Sequence, residues 1–116
     1  MKRIAILTCL RANDVCTGAG CLEAFFNKKG SFNIYKQENI KLVAFWTCNG
    51  CKDCLFDNQD GLFEKIDKIK KLKVDILHLG ICVLLDKKSK KFCPKIQNII
   101  EELKKYNIKI VIGTHS

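Results

Sequence analysis

The chain has 116 residues, a formal net charge of +9, 47% hydrophobic residues, one proline and eight cysteines. Such a length suits a single domain over 1–116, with a core large enough to need no covalent staples, and the apolar content excludes a disordered chain. No apolar run approaches the roughly 20 residues of a membrane span; the charge sits mostly in dispersed lysines, Arg3 and Arg11 being the only arginines, which argues against a nucleic-acid interface.

The first element expected is a strand, Lys2–Thr8 (KRIAILT). The N-terminus imitates a short signal peptide, but its apolar core is brief, Arg11 and Asp14 follow at once, and no small-residue cleavage site appears, so a cytoplasmic protein is expected. A polar loop, LRANDVCTGAG, leads to a helix over 21–29 (CLEAFFNKK) closed by Gly30. The second strand is 41–47 (KLVAFWT). The second helix is 62–73 (LFEKIDKIKKLK), with Asp60 placed to cap it and Leu62, Phe63, Ile66, Ile69 and Leu72 on one face. Residues 74–80 (VDILHLG) give the third strand. After a lysine-rich loop, LLDKKSKKF, Pro94 suits the first position of a third helix whose stripe is Ile96, Ile99, Ile100 and Leu103. The fourth strand is 108–112 (IKIVI).

Strands that alternate with amphipathic helices, and that are themselves near-continuous apolar runs, predict an α/β domain. The expected architecture is three-layered and flavodoxin- or Rossmann-like, with a four-stranded parallel sheet in the order 2-1-3-4. Right-handed crossovers then align every strand's carboxyl end along one rim, where ligands of open α/β sheets bind.

The cysteines map to that rim. Cys9 follows the first strand, and Cys48, Cys51 and Cys54 (WTCNGCKDC, 46–54) follow the second. His78 lies near the end of the third strand with Cys82 just beyond, and His115 follows the fourth. Cys16 and Cys21 flank the loop before the first helix, Cys93 opens the third helix, and none is expected within a helix body. In a reducing compartment such clustering points to metal or redox chemistry rather than disulfides.

Two thiols separated by two residues reach one ion through a tight turn, which Gly50 eases. C-x-x-C-x-x-C with a remote fourth cysteine is the ligand pattern of a [4Fe-4S] iron–sulfur cluster, and Cys82 and Cys9 are the candidates for the fourth ligand. Zinc on Cys48 and Cys51 with two of Cys9, Cys82, His78 and His115 is the second option. Cys16, Cys21 and Cys93 remain for a second site, for redox chemistry or for the core. A metal-free C-x-x-C dithiol oxidoreductase is a third option, though such motifs usually open a helix, and the next helix is expected only near Asp60. For His78, inside an apolar strand, a satisfied core histidine weighs as much as a ligand. TGAG at 17–20 reads as a plain turn, and Trp46 as core or site wall.

With these residues in place, the chain resembles the CGGC-domain family of small prokaryotic proteins. The resemblance rests on Cys9, Cys16 and Cys21 near the first strand, CNGC at 48–51, HLGIC at 78–82, Cys93-Pro94 and GTH at 113–115. It spans essentially the whole chain. It implies metal binding, with zinc the usual suggestion, and a functional set of Cys48, Cys51, His78, Cys82, Cys93 and His115. Asn49 stands where the family's name has glycine, and Cys54 is an addition to the pattern. The expectation is therefore a metal-binding protein that holds an iron–sulfur cluster or zinc, with a redox, electron-transfer or sulfur-chemistry role and a redox partner protein. A structural zinc interaction module and the metal-free dithiol enzyme are the alternatives.

Overall fold

A computed structural model describes residues 1–10, 15–49, 59–86 and 91–115. Gly50, Cys51, Lys52 and Cys54 lie outside the described residues, as do Arg11 and Asp14. The elements are β1 (Lys2–Thr8), α1 (Ala19–Asn27), a 3-10 helix (Gly30–Tyr35), β2 (Ile40–Thr47), α2 (Gln59–Lys71) and β3 (Ile76–Leu79). A second 3-10 turn (Ile81–Val83), β4 (Leu84–Asp86), β5 (Lys91–Phe92), α3 (Pro94–Lys104) and β6 (Lys109–Ile112) complete them.

The main sheet has the order β2-β1-β3-β6, parallel throughout, as the apolar strand pattern predicts. Alternate residues of each strand feed opposite faces. Ala5, Leu7, Trp46, Leu77 and Leu79 pack against Leu62, Ile66 and Ile69 of α2 and Ile96, Ile99, Ile100 and Leu103 of α3. On the other face Ile4, Ile6 and Ile76 pack against Cys21, Ala24 and Phe25 of α1 and Phe32 and Tyr35 of the 3-10 helix. The three layers are thus α1 with the 3-10 helix, the sheet, and α2 with α3. Among the described residues no helix is long and apolar enough to cross a membrane.

Several local expectations need correction. α1 starts at Ala19, behind Gly18 in the left-handed region (φ 79°), so Cys21 lies inside the helix rather than at its start. A side chain at Gly18 would press on the Phe45 ring at 3.0 Å, which explains the glycine there. α2 starts at Gln59, which puts Asp60 in its first turn instead of at its cap; a carboxylate there still favours the helix N-terminus. Phe63 leaves the apolar face of α2 and is 60% exposed, while Leu62, Ile66 and Ile69 take the buried stripe. The lysine-rich loop contains the antiparallel pair β4–β5, a hairpin that returns the chain to the rim: the Cys93 amide donates to the Val83 carbonyl at 3.3 Å. Pro94 opens α3 as expected, behind Cys93.

The topology fixes where a site can form. The β1-to-β2 connection runs over one face of the sheet, and the later crossovers run over the other. The strand order therefore reverses between β1 and β3, and a crevice opens at their carboxyl ends. Cys9 and Cys82 stand at that crevice.

Candidate functional site

The rim is built by strand register. The last registered pair of β1 and β2 is Thr8 with Thr47. Cys9 and Cys48 each stand one residue further, and the Cys48 amide donates to the Thr8 carbonyl at 3.3 Å. Both thiols follow the parity of Leu7 and Trp46 and join the α2/α3 cluster, where Cys93 also packs. An extra residue in β2, at the register shift between Ile4 and Ala5, brings Cys48 into phase with Cys9. Lys65 of α2 reaches over this end of the sheet and donates to the Thr47 carbonyl at 2.9 Å, which sets an ammonium beside the start of the thiol-rich run.

On the opposite face, Cys16, Cys21 and Cys82 line a small cavity of about 70 Å³ with Thr8, Phe45, Thr114 and His115. Cys82 folds back over the end of β1, where its Sγ accepts the Cys9 amide at 3.3 Å. Gly80 makes room for this: a side chain there would meet the Cys82 sulfur at 3.2 Å. Burial pushes the Cys82 thiol above its ordinary pKa, the Cys9 amide pulls it down, and the neighbouring Cys9, Cys21 and Cys16 push it up further. Cys82 therefore joins the two thiol groups. Cys16 accepts the Gly18 amide at 3.4 Å, and the Cys21 sulfur lies 3.1 Å from the Thr114 hydroxyl.

The histidines separate. His115 lines the cavity with its ring against Gly20, where a side chain would approach it at 3.2 Å. His78 is fully buried, stacks on Phe32 at 4.2 Å between ring centres, and uses both ring nitrogens inside the core. Nδ1 lies 2.9 Å from the Gly113 carbonyl, which can only accept, so Nδ1 carries the proton. Nε2 then accepts from the Tyr35 hydroxyl at 2.7 Å. Burial holds the His78 pKa below its ordinary value, the Gly113 bond opposing, which keeps the ring neutral. Burial also pushes Tyr35 up to about 12, with help from Glu38, so its hydroxyl keeps its proton to donate. Counted among the candidate ligands, His78 is used instead as a brace, with neither nitrogen left over for an ion.

The brace fixes the C-terminal GTH segment. Gly113 donates to the Leu79 carbonyl at 2.7 Å, and the Thr114 carbonyl accepts from the Ser31 amide at 2.8 Å. Sequence reasoning missed Tyr35 and Ser31 because their partners are remote along the chain. It also gave no weight to the Trp46 indole nitrogen, which is buried with no hydrogen-bond partner among the described residues.

Among the described residues, no three cysteine, histidine, aspartate or glutamate side chains converge closely enough to hold a metal ion. The donor chemistry is nonetheless soft: none of the described cysteines Cys9, Cys16, Cys21, Cys48, Cys82 and Cys93 is held in a disulfide.

Comparison with known proteins agrees with this pattern. The model of the CGGC domain matches residues 3–115. An uncharacterized protein of Methanocaldococcus jannaschii is 30% identical over 129 aligned positions, covering 98% of this chain and 87% of that protein. No solved structure matches the chain. Rim, thiols and GTH segment all fall within the matched span, and the chain belongs to the CGGC-domain family, a membership consistent with a metal-binding role.

Proposed function

We propose that thiolates at the carboxyl rim of the sheet hold a metal centre, an iron–sulfur cluster in first place and zinc in second, and that the protein serves redox, electron-transfer or sulfur chemistry through it. The observation that supports this reading is Cys82 seated on the Cys9 amide at 3.3 Å at the topological switch point, with Cys48 following the end of the neighbouring strand β2. Cys51 and Cys54 of the same run supply the further ligands in this reading. The residues suit such a group in charge as well as softness. Lys65 places a cation beside the run. A bound cluster would exchange single electrons and a bound zinc would organise the loop; the chain's part is to hold the sulfurs in place.

Anaerobic purification, followed by a visible spectrum and measurement of iron, sulfide and zinc per chain, tests the reading. Brown protein with stoichiometric iron and sulfide supports the cluster, and colourless protein with tightly bound zinc supports the second centre. Metal-free protein with titratable thiols refutes both and favours the metal-free dithiol enzyme, with Cys48 and Cys51 as its redox pair.

A further inference from the structure

Trp46 is the only tryptophan of the chain. It lies on β2 two residues before Cys48, so the two side chains share the α2/α3 face. The residue is 8% exposed, and its Nε1–H is without a hydrogen-bond partner among the described residues, Cys48 included. Folded interiors rarely leave a buried donor unpaired, because its lost hydration has to be replaced. Trp46 shares its hydrophobic cluster with Leu7, Leu62 and Ile66, and the sulfur-bearing members of that cluster are Cys48, Cys9 and Cys93. A neutral thiol accepts weakly, whereas a metal-bound thiolate or a sulfide carries charge and accepts well.

We infer that Trp46 donates its Nε1–H to a sulfur of the centre held at Cys48, as a positioning residue that orients and tunes that centre. This rests on the metal-binding reading above. That sulfur supplies the acceptor that the buried donor otherwise has no partner for among the described residues. A tryptophan, and not a phenylalanine, is needed at the end of β2 for that reason.

The single tryptophan makes the test direct, since a 15N-labelled chain gives one indole N–H signal. The reduced, metal-free protein is titrated with Zn2+, and the indole signal should move downfield as its exchange with water slows. Trp46→Phe, which keeps an aromatic ring in the core, should weaken zinc binding about tenfold, as loss of a supporting hydrogen bond typically does. Zinc bound with an unmoved indole signal and an affinity within about twofold of wild type in the variant overturns the inference and leaves the metal reading intact. An indole hydrogen bond already present without metal does the same. If the chain takes up iron and sulfide in place of zinc, the readout is the reduction potential, which Trp46→Phe should lower because N–H···S bonds favour the more negative reduced cluster; an unchanged potential overturns it. A chain that binds neither metal overturns the metal reading and this inference together. Should the variant fail to fold, the wild-type indole signal still decides.

Discussion

Replacing Tyr35 by phenylalanine removes one hydroxyl from a buried relay and little else. The ring stays, packed obliquely on Phe32 at 6.3 Å and edge-on to His78 at 5.6 Å between centres. Lost is the 2.7 Å bond to His78 Nε2, whose nitrogen then has no donor in a fully buried position. A hydrogen bond to a buried neutral group contributes about 1 kcal/mol, and stranding its partner raises the cost to roughly 1–3 kcal/mol. For a domain of this size that corresponds to a fall in Tm of about 4 °C per kcal/mol. Urea denaturation followed by far-ultraviolet circular dichroism, with metal content matched between variants, should show a lower midpoint at unchanged slope. The double variant with His78→Leu should then lose less than the sum of the two single losses, with a coupling above about 0.5 kcal/mol. A Tyr35→Phe loss below about 0.5 kcal/mol, or full additivity with His78→Leu, would refute the brace.

Acid should weaken the same brace. Burial depresses the folded pKa of His78, so the unfolded chain takes up a proton first; the stability present above the unfolded value of about 6.5 is lost as pH falls through the folded one. Urea midpoints between pH 7 and pH 5 should fall less steeply in His78→Leu than in wild type, and equal slopes would contradict the assignment. Gly30→Ala should cost about 2–4 kcal/mol in the same assay, because Gly30 sits at φ +56° and an added side chain would collide with the Thr114 carbonyl. A cost below about 0.5 kcal/mol would show that the GTH segment is not held tightly. Chelation or acid extraction of the metal should lower Tm by on the order of 10 °C in wild type and in Cys16→Ser, but hardly at all in Cys48→Ser, measured by calorimetry. An equal effect in all three would separate the centre from the α2/α3 face.

The fold was legible where the pattern is local. Apolar runs marked β1 and β2, and the 3.6-residue stripe of Ile96, Ile99, Ile100 and Leu103 marked α3, all four of those residues being buried. Alternation of strand and helix led to the sheet order. Phe63 shows the limit of that periodicity: it lies next to Leu62 in sequence, yet one residue turns it 100° around the helix and out to solvent. The return hairpin β4–β5 was hidden because a loop rich in lysine carries no apolar alternation. The rim position of the thiols was also legible, but their division between two faces was not, since it depends on the extra residue in β2 and on Cys82 turning back across Gly80. Sequence leaves His78 balanced between ligand and core histidine because its two partners, Tyr35 and Gly113, are 43 and 35 residues away. The parts of the site formed by the thiol-rich run beyond Asn49 fall outside the described residues and stand as expectations.

A parallel sheet with covered faces is also a wall. Thiol chemistry started on the α1 side, whether alkylation, oxidation or capture of a stray soft ion, meets Cys16 and Cys21 without reaching Cys48, and the reverse holds from the other side. Among the described residues the thiols thus fall into two sulfur compartments, and Cys82, folded over the top of β1, is the seam through which an event in one would be felt in the other.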